Sequence, residues 1–362
     1  MPTHFELARP SDDPDLRRLL RENPFAGSIS ISFEREPNYF SASAIEGEFT
    51  QTLVVRDSQT SQIIGVGDRS IRPYYVNSEI KDIGYFSGLR IDSKYQHGMA
   101  LARFLSKGFE GQRELHKDGR SKFYLMSIVA DNNPARRLLD SKLPHYPRLH
   151  PYARMFTFAI HPARRKRKSK IKITRGSADL IPAIVDCLTR NGSRAQFAPC
   201  WTENALRSTL ELNLAIEDFF LIRSGDRVTG CLALWNQQPF KQSVIRGYSG
   251  NMARYRKLIN LFTPLPDVGK RLNQCFACFM AIDNDDPEIF SAALRALYNE
   301  AARRKYDYVM LGLADGNPFI PIAKSYRPIV YKSDIHLVAW EDGYKEIANV
   351  DKRPPALEIA LL

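Results

Sequence analysis

Two stretches decide the fold: YLMSIVADNNP, Tyr124 to Pro134, and YVMLGLADGNP, Tyr308 to Pro318. Tyr, Met, Ala, Asp, Asn and Pro stay in register after a shift of 184 positions, from 124 to 308. In each, a short apolar run ends in Ala-Asp and then Asn-Pro, the pattern of a strand that turns into a helix. Outward from this pair the echo continues. FELARPSDDPDLRRLL and IKITRGSADLIPAIV each read as a short strand, Arg-x-Ser and an apolar-periodic helix, with Ser11 and Ser177 placed as helix caps. TLVVRDSQTSQIIGVGDRSI and FFLIRSGDRVTGCLALWN each give two strand-like runs around a polar turn, a hairpin. GYFSGLRID and CFACFMAID read as further strands, each followed by a long helix, MALARFLSKGFEGQRELH and PEIFSAALRALYNEAARR. The same order is written twice, which predicts a duplicated α/β domain with a mixed (α+β) sheet in each copy.

The remaining composition sets bounds. At 362 residues, 44% hydrophobic and 25% charged, the chain is long enough for two domains with their own cores. The start, MPTHFELARPSDD, lacks the apolar stretch of a signal peptide, and no apolar run approaches the roughly 20 residues of a membrane span, so the expectation is a cytoplasmic protein without membrane contact. Five cysteines, an odd number, suit buried reduced thiols better than a disulfide framework. In CFAC, Cys275 and Cys278 fall on opposite faces of a strand, which argues against a zinc or redox pair. The net charge is +12, and much of it sits in ARRKRKSKIK, Ala163 to Lys172, between the copies. That run reads either as a solvated linker or as a patch for an anionic partner; no nucleic-acid-binding motif accompanies it. The expected division is 1–162, a basic linker at 163–169, 170–345, and a tail at 346–362.

The order of elements, with one particular turn, resembles the GNAT superfamily of coenzyme-A-dependent acyltransferases, in a tandem two-unit form covering nearly the whole chain. The turn is LRIDSKYQHGMALARFL, Leu89 to Leu105. The family pattern is Arg or Gln, two residues, Gly, one residue, then Gly or Ala; Gly98 and Ala100 match, and Tyr95 stands at the Arg/Gln position. A helix start offers unpartnered N–H groups and partial positive charge, and small residues let a pyrophosphate approach it. The resemblance therefore implies acetyl-CoA or another acyl-CoA as donor, no metal, and a donor site in the first unit made by Leu89, Ile91, Lys94, Tyr95, Gln96, His97, Gly98, Met99 and Ala100. It also implies Asn132 and Ala135, spaced as in the family's helix beside the pantetheine arm, although Leu139 stands where a general-acid Tyr is common. Asp131 and Asn133, with Asp315 and Asn317 in the second copy, read equally as helix caps.

The second unit's equivalent turn, AIDNDDPEIF, crowds Asp283, Asp285, Asp286 and Glu288 at a helix start. They suit capping, with Pro287 in the first turn, and would meet a pyrophosphate at a cost on the order of 4 kcal/mol per close approach. The second unit is expected to serve as scaffold or acceptor side. The aromatic-rich WNQQPFKQSVIRGYSG, Trp235 to Gly250, reads as acceptor pocket or as core.

The implied reaction is N-acyl transfer to an amine of a small molecule or peptide, which needs a base for the amine and a proton for the departing thiolate. Glu79 and Asp82 are the candidate bases; Tyr85, Tyr146 and Tyr152 are tyrosines able to replace the missing acid. Two alternatives stand beside it: an aminoacyl-tRNA-dependent transferase of related tandem fold, favoured by the basic linker, and a non-catalytic acyl-CoA-binding or regulatory protein, favoured by Leu139. The units are expected to pack as a pseudo-dimer through their open sheet ends.

Overall fold

The computed structural model describes residues 3–25, 27–96, 98–130, 145–260 and 265–362. The first half runs β1 (Thr3–Leu7), α1 (Asp13–Glu22), β2 (Ile29–Glu34), α2 (Ser43–Glu46), β3 (Phe49–Asp57), β4 (Ile63–Val76), β5 (Glu79–Ile91), α3 (Gly98–His116), β6 (Tyr124–Val129) and β7 (Arg148–Ile160). The second runs β8 (Thr174–Arg175), α4 (Ile181–Gly192), α5 (Glu203–Leu210), β9 (Phe219–Ser224), β10 (Arg227–Trp235), β11 (Gln242–Tyr248), α6 (Gly250–Ile259), β12 (Gln274–Ile282), α7 (Pro287–Arg303), β13 (Tyr308–Ala314), α8 (Ile320–Lys324), β14 (Ile329–Ala339) and α9 (Tyr344–Ala348). No helix among the described residues is long and apolar enough to cross a membrane.

Local chemistry explains most of these elements. In α1 the acidic Asp13 and Asp15 and Pro14 occupy the first turn, and Leu16, Leu19 and Leu20 form the buried stripe at helical spacing. In α7 the Asp286 carboxylate accepts from the backbone N–H groups of Glu288 and Ile289 at 2.8 and 3.2 Å, and Pro287 follows it. The expected caps Ser11 and Ser177 are not caps. Ser11 lies inside a 3-10 turn whose Asp12 accepts from Arg9 N at 2.8 Å, and Ser177 precedes a 3-10 turn without a capping bond. Asn317 does cap, accepting from Phe319 N at 2.9 Å, whereas Asp131 and Asn133 fall outside the described residues.

Twelve strands form one sheet in the order β1-β3-β4-β5-β6-β14-β7-β13-β12-β10-β9-β8. The two ends mirror each other, and the centre carries an exchange. β14, from the second half, pairs with β6 of the first, while β7, from the first, pairs with β13 of the second; β14 and β7 meet antiparallel along the middle. The halves are thus joined edge to edge, and a boundary at 163–169 divides the sequence but not the sheet. Two pairs are parallel, β5·β6 and β12·β13, each bridged by the long helix between its strands, α3 or α7. Helices α1 and α4 pack on one face and α3 and α7 on the other: Val54 and Val66 meet α1, and Val55, Ile64 and Ile91 meet α3.

Packing fixes the surroundings of three further segments. Residues 346–362 are not a loose tail, because Leu357, Ala360 and Leu361 are buried in the cores between the halves. The basic run is not a free linker: Asn299 of α7 clamps it through Lys166 N and Lys166 O at 2.7 and 2.9 Å. Trp235 to Gly250 is shared between core and crossing. Trp235 is fully buried, and β11 leaves its own unit to pair with β2 of the first as a separate ribbon. Cys275 and Cys278 sit in cores on opposite faces, and all five cysteines are free and buried.

Candidate active site

The parallel pair β5·β6 is short. It holds from Gly84–Tyr124 to Phe86–Met126, clamped by Tyr124, which stacks on Phe86 at 4.1 Å while its hydroxyl meets Arg69 Nε at 3.1 Å and His116 Nδ1 at 2.9 Å. Past this clamp the strands part. Across β4, Val66 faces Arg90 but Asp68 faces Ser87, so Gly88 and Leu89 together oppose Gly67 and make a bulge that bends β5. Gly88 has φ +66°, and a Cβ there would come within 2.5 Å of Asp68 Oδ2. On the two banks of the opening stand exposed apolar side chains, Leu89 (45%) and Val129 (44%).

Beyond the bulge, β5 runs into α3. Asp92 Oδ1 accepts from Lys94 N at 3.0 Å, Gln96 Nε2 donates to Ile91 O at 2.7 Å, and Gly98, at φ +61°, begins the helix. A Cβ at Gly98 would meet no atom of the described residues within 4 Å. The first turn of α3 carries no acidic residue. Tyr95 donates its hydroxyl to Asp57 Oδ2 at 3.1 Å, and burial pushes its pKa up. Leu89, Lys94, Tyr95, Gln96 and Gly98 thus lie along one strand-turn-helix corner, while Ile91 is buried beneath it against α3. His97, the side chains of Met99 and Ala100, Asn132 and Ala135 fall outside the described residues.

On the α1 face beside the bulge lies a buried charged cluster. Asp68 accepts from Tyr39 Oη at 2.8 Å and Thr52 Oγ1 at 2.6 Å and pairs with Arg35 Nη2 at 3.0 Å, which also reaches Glu46 Oε1 at 2.6 Å. Burial raises the Glu46 carboxyl above its ordinary value, against the pull of Arg35. Burial likewise holds Lys241 below the ordinary lysine value; its Nζ donates to Leu362 O at 2.5 Å. Four buried polar atoms here have no protein partner among the described residues: Glu46 Oε2, Arg35 Nη1, Arg90 Nε and Ser87 Oγ. Unpartnered buried polar atoms are costly, and these four lie around one bulge.

The expected catalytic residues divide. Tyr85 is buried on this same face, its pKa raised by burial with Glu46 adding to it. Tyr146 packs on Phe109 of α3 at 4.6 Å between ring centroids, its hydroxyl buried and without a hydrogen-bond partner among the described residues. Glu79 and Asp82 stand apart from this buried cluster. Both are exposed at the hairpin end of β5, and Glu79 pairs with Lys81 at 3.0 Å. Five residues of strand separate Asp82 from Ser87, about 16 Å. The carboxylates near the bulge are Glu46 and Asp68. Asp68 left a trace in the sequence, a charge in the middle of the apolar run IIGVGDRSI; Glu46 left none.

The second half repeats the bulge and closes it. Cys231 faces Ala281 and Ala233 faces Cys278, leaving Phe279 and Met280 as the bulge, with Phe279 at φ +54°. Phe279 N donates to Glu358 at 2.8 Å, Ile359 lies against Gly312, and residues 355–358 line what is left of the opening, about 40 Å³. Burial pushes Glu358 up to about 7. At the following turn, Asp283 is taken by Arg190, Asn191 and Arg227 at 2.8 to 3.1 Å.

Solved acyltransferases share this overall fold. The N-myristoyltransferase of Saccharomyces cerevisiae, solved with bound myristoyl-CoA, matches with a TM-score of 0.60 at 14% identity, over 92% of this chain and 82% of that one. The chain has the GNAT fold in its two-unit form. A GCN5-related N-acetyltransferase from Sphaerobacter thermophilus matches with a TM-score of 0.58 at 13% identity, over 93% and 96%. The GCN5-related glucosamine N-acetyltransferase region of a fungal multi-domain GH3 beta-N-acetylglucosaminidase gives 0.60 at 13%, over 93% and 38%. At these identities the likeness is one of fold. By sequence, the chain matches no protein-family model and no curated protein. Within the GNAT plan, Tyr95 replaces the usual Arg or Gln of the turn and spends its hydroxyl on Asp57.

Proposed function

We propose that this protein is an acyl-CoA-dependent N-acyltransferase whose first unit holds the donor and whose second unit closes the acceptor side. One observation carries the reading: of two bulged openings with the same strand geometry, the second is filled by residues 355–359 and followed by an acidic helix start, while the first has exposed apolar banks and a helix start without acid. In this reading the donor pyrophosphate lies on the N–H groups at the start of α3, with Lys94 beside it. The pantetheine arm enters between β5 and β6, past Leu89 and Val129.

The amine sits on the α1 face. The ammonium loses its proton to Glu46 Oε2, the carboxylate oxygen without a partner among the described residues, whose hold on a proton burial strengthens. The amine lone pair then attacks the thioester carbonyl carbon, the C–N bond forms, the C–S bond breaks, the thiolate takes a proton from Tyr85, and the second proton of the new cationic nitrogen passes back to the Tyr85 oxygen, leaving a neutral amide and a thiol. Burial keeps Tyr85 protonated, so it reaches the reaction as a donor. Arg35 and Asp68 hold Glu46 and its neighbours in place.

Calorimetric titration of acetyl-CoA and myristoyl-CoA into the parent and into Gly98→Asn tests the donor half. Asn tolerates the left-handed backbone, so the variant keeps its fold while placing a side chain in the cradle. Micromolar binding lost in the variant supports the site. Absence of binding by the folded parent, with both thioesters, rules the reading out.

A further inference from the structure

The basic run between the halves is part of a built cleft. Arg165, Lys166 and residues 168–173 line a cleft of about 600 Å³ along α7 with Arg295, Arg303 and Phe220. The segment is fixed at both ends: Asn299 holds Lys166 by two hydrogen bonds, with the Lys166 ammonium 4.6 Å from the centre of the Tyr326 ring, and Ile171 and Ile173 pack into the core beneath α7. Lys170 and Lys172 alternate with these isoleucines and face solvent. The only carboxylate lining the cleft among the described residues is Glu300. It is already engaged by Arg175 at 3.1 Å, Arg303 at 2.6 Å and Arg304 at 2.7 Å, which hold its pKa down to about 2. No ion pair among the described residues engages Arg164, Arg165, Arg167, Lys168, Lys170 or Lys172.

A row of like charges pinned close together without counter-ions is unfavourable by itself, and a polyanion relieves it. We infer that this cleft binds the phosphate backbone of a single nucleic-acid strand. Arg165, Lys168, Lys170, Lys172, Arg295 and Arg303 all line the cleft, more cations than a single nucleotide needs. The cleft is concave, which suits one strand and not a flat bilayer. None of the large exposed apolar side chains, Leu7 to Val330, lines it, so it lacks the apolar contact of a membrane-docking face. This inference does not rest on the acyltransferase reading.

Fluorescence anisotropy with a labelled mixed-sequence RNA of about 20 nucleotides, across salt, tests it. The parent should bind, and Lys168→Glu/Lys170→Glu/Lys172→Glu should flatten the log–log salt slope by about 2 and weaken binding about 100-fold at 0.1 M salt, since each cation contributes about 0.7 to the slope for single strands. The exposed Lys257, Lys345 and Lys352, reversed together, make the same change of net charge elsewhere and should leave the slope within about 0.5 of the parent. Circular dichroism melts of both triples check folding. Equal loss in the two triples reduces the effect to net charge and overturns the inference, as does a parent that binds no RNA. Phosphatidylserine vesicles bound by the parent and lost in the cleft triple, with RNA binding unchanged, hand the cleft to membranes and also overturn it.

Discussion

Gly88 and Gly98 share a positive φ but answer to different constraints. At Gly88 the left-handed backbone makes the bulge, and Asp68 Oδ2 fills the space a Cβ would take; at Gly98 the backbone is left-handed too, but no described atom stands in the way of a Cβ. Gly88→Ala should therefore destabilise by about 2–4 kcal/mol, combining backbone strain with disruption of a buried, hydrogen-bonded carboxylate. Gly98→Ala should cost only about 1 kcal/mol. Urea denaturation of the two variants side by side checks the ordering, and equal costs would mean the bulge does not depend on the Asp68 contact. Glu358 gives a pH signature. Its folded pKa, about 7, lies above the ordinary glutamate value. A group raised on folding contributes its stability below the unfolded value, and that contribution is lost as pH rises through the folded value. Between pH 5 and pH 8 the parent should lose stability relative to Glu358→Gln, by up to about 3 kcal/mol. Parallel pH dependences in chemical denaturation would refute this.

The elements show what the sequence made legible and what it could not. Hairpins β3–β4 and β9–β10, helix α1 and the capped α7 follow from local patterns, since turn residues, caps and apolar periodicity act within a few positions. Asp286→Ala should accordingly cost about 1 kcal/mol in thermal or chemical unfolding, the usual worth of an N-cap. The β4–β5 hairpin was obscured because its turn, Asn77 and Ser78, both at positive φ, lacks a glycine. The ribbon β2·β11 was invisible because its strands lie more than two hundred positions apart. The donor corner was legible in part: Gly98 and its neighbours stood out through a phosphate-binding pattern. The acceptor cluster was not, because a charge pattern does not tell which of Glu46, Glu79 and Asp82 points inward. Kinetics can separate these carboxylates. Glu46→Gln should lower kcat by about 10²–10³ and Tyr85→Phe by about 10², with donor affinity unchanged, while Glu79→Gln and Asp82→Asn should leave kcat within about twofold of the parent. A large loss at Glu79 or Asp82 would contradict the geometry.

At the scale of the molecule, the duplication is closed by exchange, and this makes the halves interdependent. β14 supplies partners to both β6 and β7, so a chain ending at residue 162 leaves the facing edges of those two strands unpaired, with Met155, Leu125 and Tyr85 deprived of the Leu337 and Leu357 side chains that share their core. The second half alone in turn loses β7, the neighbour of both β13 and β14. Long unpaired edges with apolar faces aggregate rather than fold. Residues 1–162 and 163–362 expressed separately should therefore show no cooperative thermal transition. Co-expressed, they should form a one-to-one complex with the circular dichroism of the intact chain and the same affinity for the donor thioester. The intact protein should melt in one transition, because a sheet shared in this way has no line along which one half can unfold and leave the other's edges paired. A cooperative melt from residues 1–162 alone would show that the first unit completes its own sheet, and that the exchange is a feature of assembly and not a condition of folding.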